Sequence, residues 1–415
     1  MSFFSRKNTG KRFGVIIDIG SGSVLAAIVR SDPKKAHPDV IWSHREHVPL
    51  RDAKSLDQRE KAVMTSLVSS TMLLDSEGRK VLSKLDSSAT LTVIQCSISA
   101  PWSYTVSKTI NYRQDKPFNI TAELIKDLHS TIDSELNSDL KQDEKLHALG
   151  LKIITKSTMN LSANGYNIPH LEGGKTTTLA LSQANVVAQQ YLINAIDELR
   201  EKLFPKTKIF RLSFILMLYA TAQDLLSQPN DVCLIDITYE ATEIGIVRDK
   251  ILKYCTHAPV GSFSLAREIS RISGVPLQEA FGYLHTEKPY SFLDTLPEIK
   301  KAEIRKVFED YIEEVSKLFK ETGDSLTIPK YITIHTDIKA ESLFIDLIEN
   351  AAMRNLRTKP IITTISKMIV DKTYKDQTKS TNEIIPTDTA MLLSARFFHT
   401  QGKHNSFKYL TTDIL

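Results

Sequence analysis

The chain has 415 residues, enough for two to four compact units, and its 41% hydrophobic and 25% charged content is an ordinary globular balance. Fifty-three basic against 49 acidic residues give a net charge of +4, too even for a nucleic-acid-binding face. No apolar run reaches membrane-spanning length, and the three cysteines, Cys96, Cys233 and Cys255, lack metal or disulfide spacing and read as buried reduced thiols of a cytosolic protein.

The start, MSFFSRKNTGKR, lacks the order and length of a signal peptide. It reads as a frayed basic tail, the alternative being a weak electrostatic touch on an anionic membrane surface. Phe13–Arg30 reads as a β-hairpin and Val40–Val48 as a third strand. Asp57–Leu85 carries Val63, Leu67, Met72 and Leu73 near helical spacing and is predicted mostly helical. Leu91–Ser99 is a core strand, followed by Ala100-Pro101-Trp102-Ser103 and a strand over Tyr104–Tyr112. A unit of different texture follows, from about Asn111 to Phe204. Thr121 caps a helix with Ile125, Leu128 and Ile132, Leu149–Met159 and Thr176–Leu181 are strands, Asn164-Gly165 is a hairpin turn, and Asn185–Leu203 is predicted helical. Phe210–Leu226 is predicted as one helix.

Val232–Ile237, Thr242–Val247 and Ile251–Thr256 are predicted strands, with a tight turn at Arg248-Asp249-Lys250 and a Pro-Val-Gly-Ser turn into a helix. Ser264–Ile272, Pro276–Leu284, Lys300–Thr322 and Ala340–Ala352 are predicted helices, with a strand at Tyr331–His335. Val370–Glu383 reads as an exposed loop and Thr387–Phe398 as a closing amphipathic helix. Two segments stand out within this order. Asp18 ends the apolar strand Val15-Ile16-Ile17, and Asp236 ends Cys233-Leu234-Ile235; each then turns back into another apolar strand. Two such units about half a chain apart imply two like domains that offer acidic turns to a shared cleft.

These residues resemble the actin-like ATPase superfamily, in particular its FtsA/PilM branch. Asp18-Ile19-Gly20-Ser21-Gly22-Ser23 is similar to the first phosphate loop, Pro259-Val260-Gly261 to the turn into the next helix, and Thr389-Ala390-Met391-Leu392-Leu393 to the terminal helix, with Leu392 in place of a glycine. The strand at Leu91–Ser99 ahead of an inserted α+β unit, and a helix ahead of Asp236, complete the order. The fold class implied is α/β: an actin-like two-domain fold with an inserted SHS2-type subdomain. Its parts would be 1–110 with 205–229, the insert at 111–204, and a second domain at 230–415 carrying a helical insertion at about 264–328.

The resemblance implies ATP or ADP with Mg²⁺ as cofactor. Asp18 and Asp236 would hold Mg²⁺ waters, while Gly20, Ser21, Gly22 and Ser23 would bring backbone N–H groups close to phosphate. Thr242, Gly261, Thr336 and Asp337 complete the nucleotide-binding set by position. The family's second loop is glycine-rich, whereas here it reads Asp236-Ile237-Thr238-Tyr239-Glu240-Ala241-Thr242-Glu243, and Thr336-Asp337 stands where two adenosine-loop glycines are usual. At most a weak ATPase, or a pseudo-ATPase, is implied.

Three functions follow from the resemblance. The first is a PilM-like assembly factor of type IV pili, cytoplasmic and peripheral at the inner face of the membrane, whose partner is the cytoplasmic tail of an inner-membrane protein. The second is an FtsA-like division protein that self-assembles and binds a tubulin-like partner; the ending FKYLTTDIL is short for that family's membrane anchor. The third is a small-molecule kinase, which needs the intact phosphate site that the lost glycines deny.

Overall fold

Two five-stranded sheets of one plan carry the two lobes, and the computed structural model describes residues 10–49, 56–142, 150–167, 173–225, 230–321, 328–374, 388–403 and 410–411. The basic start up to residue 9 lies outside the described residues. In the first lobe, β1 (Arg12–Ile19), β2 (Ser23–Ser31) and β3 (Asp39–His47) form an antiparallel meander. β4 (Leu91–Ile98) and β9 (Lys208–Ser213) add in parallel to give the order β3-β2-β1-β4-β9. In the second lobe, β10 (Val232–Ile237), β11 (Thr242–Arg248) and β12 (Ile251–Ala258) repeat the meander, and β13 (Tyr331–His335) and β14 (Ile361–Thr364) repeat the parallel additions. β1 from Phe13 onward and the whole of β10 are buried, which is why both read as unbroken apolar runs rather than alternating ones.

The predicted helix over 57–85 is α1 (Leu56–Leu73) and α2 (Arg79–Leu85), joined by a π-turn at Leu74–Gly78. Gly78 permits that turn to sit on Trp42, whose ring lies 3.0 Å from where a Cβ would be. The insert consists of β5 (Ser103–Asn119), α3 (Ala122–Gln142), β6 (Leu151–Ala163), β7 (Tyr166–Asn167), β8 (Lys175–Gln189) and α4 (Gln190–Leu203). Its sheet also takes in β15 (Leu410–Thr411), in the order β15-β6-β8-β5. Thr121 caps α3 as expected, accepting from the Leu124 N–H at 3.1 Å, and Asn164-Gly165 turns the hairpin with both residues at positive φ. Far from the lobes the insert has a small core of its own around Ile132, Leu161 and Leu181; near them, Ala184, Val186 and Ile196 merge into the core of the first lobe.

Four expectations are corrected. Asn185–Gln189 extends strand β8, and the helix begins at Gln190; these five residues are buried throughout, as a β-branched strand between two layers requires. Phe210–Ser213 belongs to strand β9, and only Phe214–Leu225 is helix (α5). The Ser213 hydroxyl accepts from the Leu216 N–H at 3.2 Å and so starts α5. Val370–Tyr374 continues the short helix α10 (Ile365–Ile369) as a π-turn with Thr373 buried, and the rest of the supposed loop lies outside the described residues. Finally, the closing helix α11 (Thr389–Lys403) packs on the first lobe although it follows the second in sequence. Phe398 fills the space where a Cβ on Gly14 would stand, 2.4 Å from the ring.

In the second lobe β12 leads into α6 (Ser262–Ser273), α7 (Leu277–Leu284) and α8 (Glu298–Glu321), and α9 (Glu341–Met353) connects β13 to β14. Among the described residues, no helix is long and apolar enough to cross a membrane.

Candidate functional site

The C-terminal ends of β1 and β10 face each other across a cleft of about 470 Å³ between the lobes. This is where two like sheets present their turns, and it is lined by Asp18, Gly20, Ser21, Gly22 and Ser23 from the first lobe and by Asp236, Thr336 and Asp337 from the second. Eight of the ten residues proposed from the sequence meet there. Thr242 and Gly261 lie beneath it. The buried Thr242 hydroxyl is 2.8 Å from the Val260 carbonyl and 2.9 Å from Tyr311 Oη, and Gly261 packs against the Thr238 carbonyl, which would stand 2.3 Å from a Cβ.

The first loop is knit to its own lobe. The Gly20 N–H donates to the Ser23 carbonyl at 2.9 Å, and the Trp102 indole donates to the Gly20 carbonyl at 3.1 Å. The Asp18 carboxylate accepts from Ser97 Oγ at 2.8 Å and from the Arg45 guanidinium at 3.2 Å. Arg45 reaches it from two strands away and also donates to Asp388 through Nε at 2.6 Å and Nη2 at 2.9 Å, and to Ser23 Oγ at 2.9 Å. Asp388 in turn caps α11 by accepting from the Met391 N–H. Burial pushes the Asp18 carboxyl above its ordinary range despite Arg45 and Ser97, whereas the two-pronged Arg45 contact overcomes burial and holds Asp388 below it. Arg45 and Asp388 were not singled out in the sequence. An Asp directly before the closing helix is a recognisable cap signal; a lone Arg on an edge strand is none.

The second loop closes on itself through the Thr238 N–H and hydroxyl, both donating to the Ala241 carbonyl. The Ser262 and Phe263 N–H groups at the start of α6 donate back to the Thr238 and Tyr239 carbonyls at 3.0 and 2.8 Å. The Tyr239 ring lies flat against Gly22, where a Cβ would come within 1.8 Å of it, and is backed by Phe281 and Phe263. Burial raises its phenol to about 12.

Asp236, 1% exposed, accepts from His335 Nδ1 at 2.7 Å, and its other oxygen has no partner among the described residues. Across the sheet His335, Asp236, Glu243 and His257 stand at one level on β13, β10, β11 and β12. Burial, with Asp236 beside it, pushes Glu243 well above the usual carboxylate range. Thr336 is buried, and Asp337 caps a short turn by accepting from the Lys339 N–H at 2.9 Å.

A Mg²⁺-nucleotide is the group this fold implies, and these residues do not fit it in the arrangement seen. The Asp18 carboxylate is taken by Arg45 and Ser97, the open face of Gly22 is covered by Tyr239, and the leading amides of α6 are bonded to loop carbonyls. Four aspartates against Arg45 and Lys339 leave the cleft acidic, which opposes a polyphosphate. Among the described residues, no group of three or more His, Cys, Asp or Glu is arranged to hold a metal ion.

A doubled meander-and-crossover sheet with a cleft between the copies defines a protein of the actin-like ATPase fold. No protein-family model matches the sequence, and no curated protein sequence is similar to it. Among solved structures, the chain is similar to one described as the PilM–PilN type IV pilus biogenesis complex, with 13% identity, a TM-score of 0.55, and coverage of 95% of this chain and 98% of that one. It is also similar to the ethanolamine utilization protein EutJ of Carboxydothermus hydrogenoformans (11% identity, TM-score 0.41, 93% and 89% coverage). A third is a Bacteroides thetaiotaomicron protein with an actin-like ATPase fold (8% identity, TM-score 0.40, 94% and 99% coverage). At these identities the likeness is one of fold.

Proposed function

We propose that this chain is a PilM-like scaffold of a type IV pilus assembly machine, which binds a cytoplasmic segment of an inner-membrane protein at the inner face of the membrane and whose nucleotide cleft is degenerate. The observation that supports it most is the end-to-end similarity, covering 95% of this chain and 98% of the solved neighbour, which is itself in complex with PilN. An enzyme on this fold needs its phosphate loops open to substrate, and here Tyr239 covers Gly22. A scaffold needs only a fixed two-lobed body and a surface for its partner. The test is calorimetric titration of the purified protein with synthetic peptides that match the short cytoplasmic segments of the inner-membrane pilus proteins of its own source. Saturable binding to one of them supports the assignment. Binding to none, together with binding to the tail of a tubulin-like division protein, moves it to the division machinery.

A further inference from the structure

We infer that the second phosphate loop acts as the chain's internal ligand: Tyr239 covers Gly22 of the first loop, Glu240 pairs with cations of both lobes beside the cleft, and together they hold the lobes closed without nucleotide. The inference rests on the reading of the cleft as degenerate and adds what replaces the missing ligand. Contacts of several kinds cross from lobe to lobe at this loop. Ser21 Oγ of the first lobe donates to Thr238 Oγ1 at 2.9 Å and accepts from the Glu240 N–H at 3.0 Å. The Tyr239 ring closes over Gly22. The Glu240 carboxylate, its side chain 6% exposed, is gripped two-pronged by Arg267 of α6 at 2.7 Å for each pair, and meets Arg59 of α1 at 3.1 Å.

Glu240 is therefore an anion held between cations of the two lobes, the job a phosphate does when it bridges two domains. A carboxylate tied to the backbone is always present at the site, whereas a diffusible anion must be bound from solution. One backbone and one side-chain feature fit a loop shaped for this purpose. An amide that in a glycine-rich loop would be free for phosphate, that of Glu240, is spent on Ser21. Arg267 is held in place over the Phe263 ring at 4.8 Å, so its fork faces the carboxylate before the lobes meet. Removing the charge of Glu240 loosens its pairs with Arg59 and Arg267, and removing the Ser21 hydroxyl cuts both hydrogen bonds to the loop. The core of the first lobe runs on through α5 into Val232, Leu234, Val247 and Leu252 of the second sheet, and the second lobe has a further core of its own, so loss of the bridge loosens the two loops without unfolding either lobe.

Hydrogen–deuterium exchange on the full chain, with and without millimolar Mg·ATP or Mg·ADP, tests this. In the unaltered protein the amides of residues 20–23 and 238–241 should be protected without nucleotide, and nucleotide should leave them unchanged. In Glu240→Gln and in Ser21→Ala, exchange at both loops and at the start of α1 should rise roughly tenfold, while β6, β8 and α8 keep their protection and so report an intact fold. Added protection of the loops by nucleotide in the unaltered protein would overturn both the inference and the reading of the cleft. Unchanged exchange in both variants, with nucleotide still without effect, would overturn the internal bridge alone and leave a degenerate cleft. Arg59→Gln, which cuts the bridge from the half-exposed first-lobe side, serves if Glu240→Gln does not fold.

Discussion

Glu243 shows what this sheet tolerates at the scale of one residue. Its carboxyl lies in the core opposite Asp236, and one of its oxygens has no partner among the described residues. Burial raises its affinity for protons above that in the unfolded chain, so the folded state holds a proton that the unfolded state releases. The resulting cost is absent at pH below the unfolded value, near 4.5, and grows as pH rises above it at up to about 1.4 kcal/mol per pH unit until the folded group itself ionises. Glu243→Gln should therefore raise the melting temperature at pH 7 to 8 and leave it nearly unchanged at pH 4, as read by calorimetry across that range. An equal effect at both pH values would show that the carboxyl is not neutral in the fold. At this scale the sequence is legible in part. Gly22 and Gly261 mark places where something approaches too closely for a Cβ, but a glycine records only the missing carbon. That Gly22 faces the Tyr239 ring emerges only when the two halves of the chain, more than 200 residues apart, are brought together, and that Gly261 faces the Thr238 carbonyl only when the loop is folded onto the start of α6.

At the scale of elements, helix α5 and helix α11 explain which parts of the fold sequence reading misses. Phe210–Leu226 reads as one helix because its apolar residues run on without a break, and a fully buried strand and a buried helix share that signature. The dividing signal is Ser213, whose hydroxyl caps α5 and also meets Thr105 on β5. Ser213→Ala should lower stability by about 1–2 kcal/mol in urea unfolding, the loss of one cap and one buried contact. For α11 the helix is legible from its pattern, and its address is not, since nothing local tells a closing helix which sheet it returns to. Phe398, 2% exposed and seated on Gly14, fixes that address. Phe398→Ala should cost about 3–5 kcal/mol. If α11 is part of the first lobe, increased amide exchange in the variant should appear in β1 and β2 and spare β13 and β14; an increase in the second lobe would mean that the helix serves the other half.

At the scale of the whole molecule, the order of elements was the most legible feature, because each lobe repeats three antiparallel strands followed by parallel crossovers and each repeat carries an aspartate one residue before the end of its first strand. The state of the cleft was legible only as missing glycines; the covering of Gly22 by Tyr239 and the pairing of Glu240 with Arg59 depend on packing between lobes. That packing bears on regulation. A nucleotide alters partner binding only to the extent that it binds two arrangements of the lobes unequally, and the coupling is reciprocal. With Glu240 already bridging Arg59 and Arg267, the lobes hold the closed arrangement without a nucleotide to favour it. The affinity for a bound peptide should then change by less than about twofold between Mg·ATP, Mg·ADP and no nucleotide, as measured by calorimetry on one preparation. A tenfold change would correspond to about 1.4 kcal/mol of coupling and would make the cleft a nucleotide switch. In Glu240→Gln the same titration separates two kinds of scaffold: a partner that reads the closed arrangement loses affinity when the bridge is cut, whereas one that reads a single lobe does not. The first outcome would make lobe closure a property that the sequence itself sets, with no ligand required.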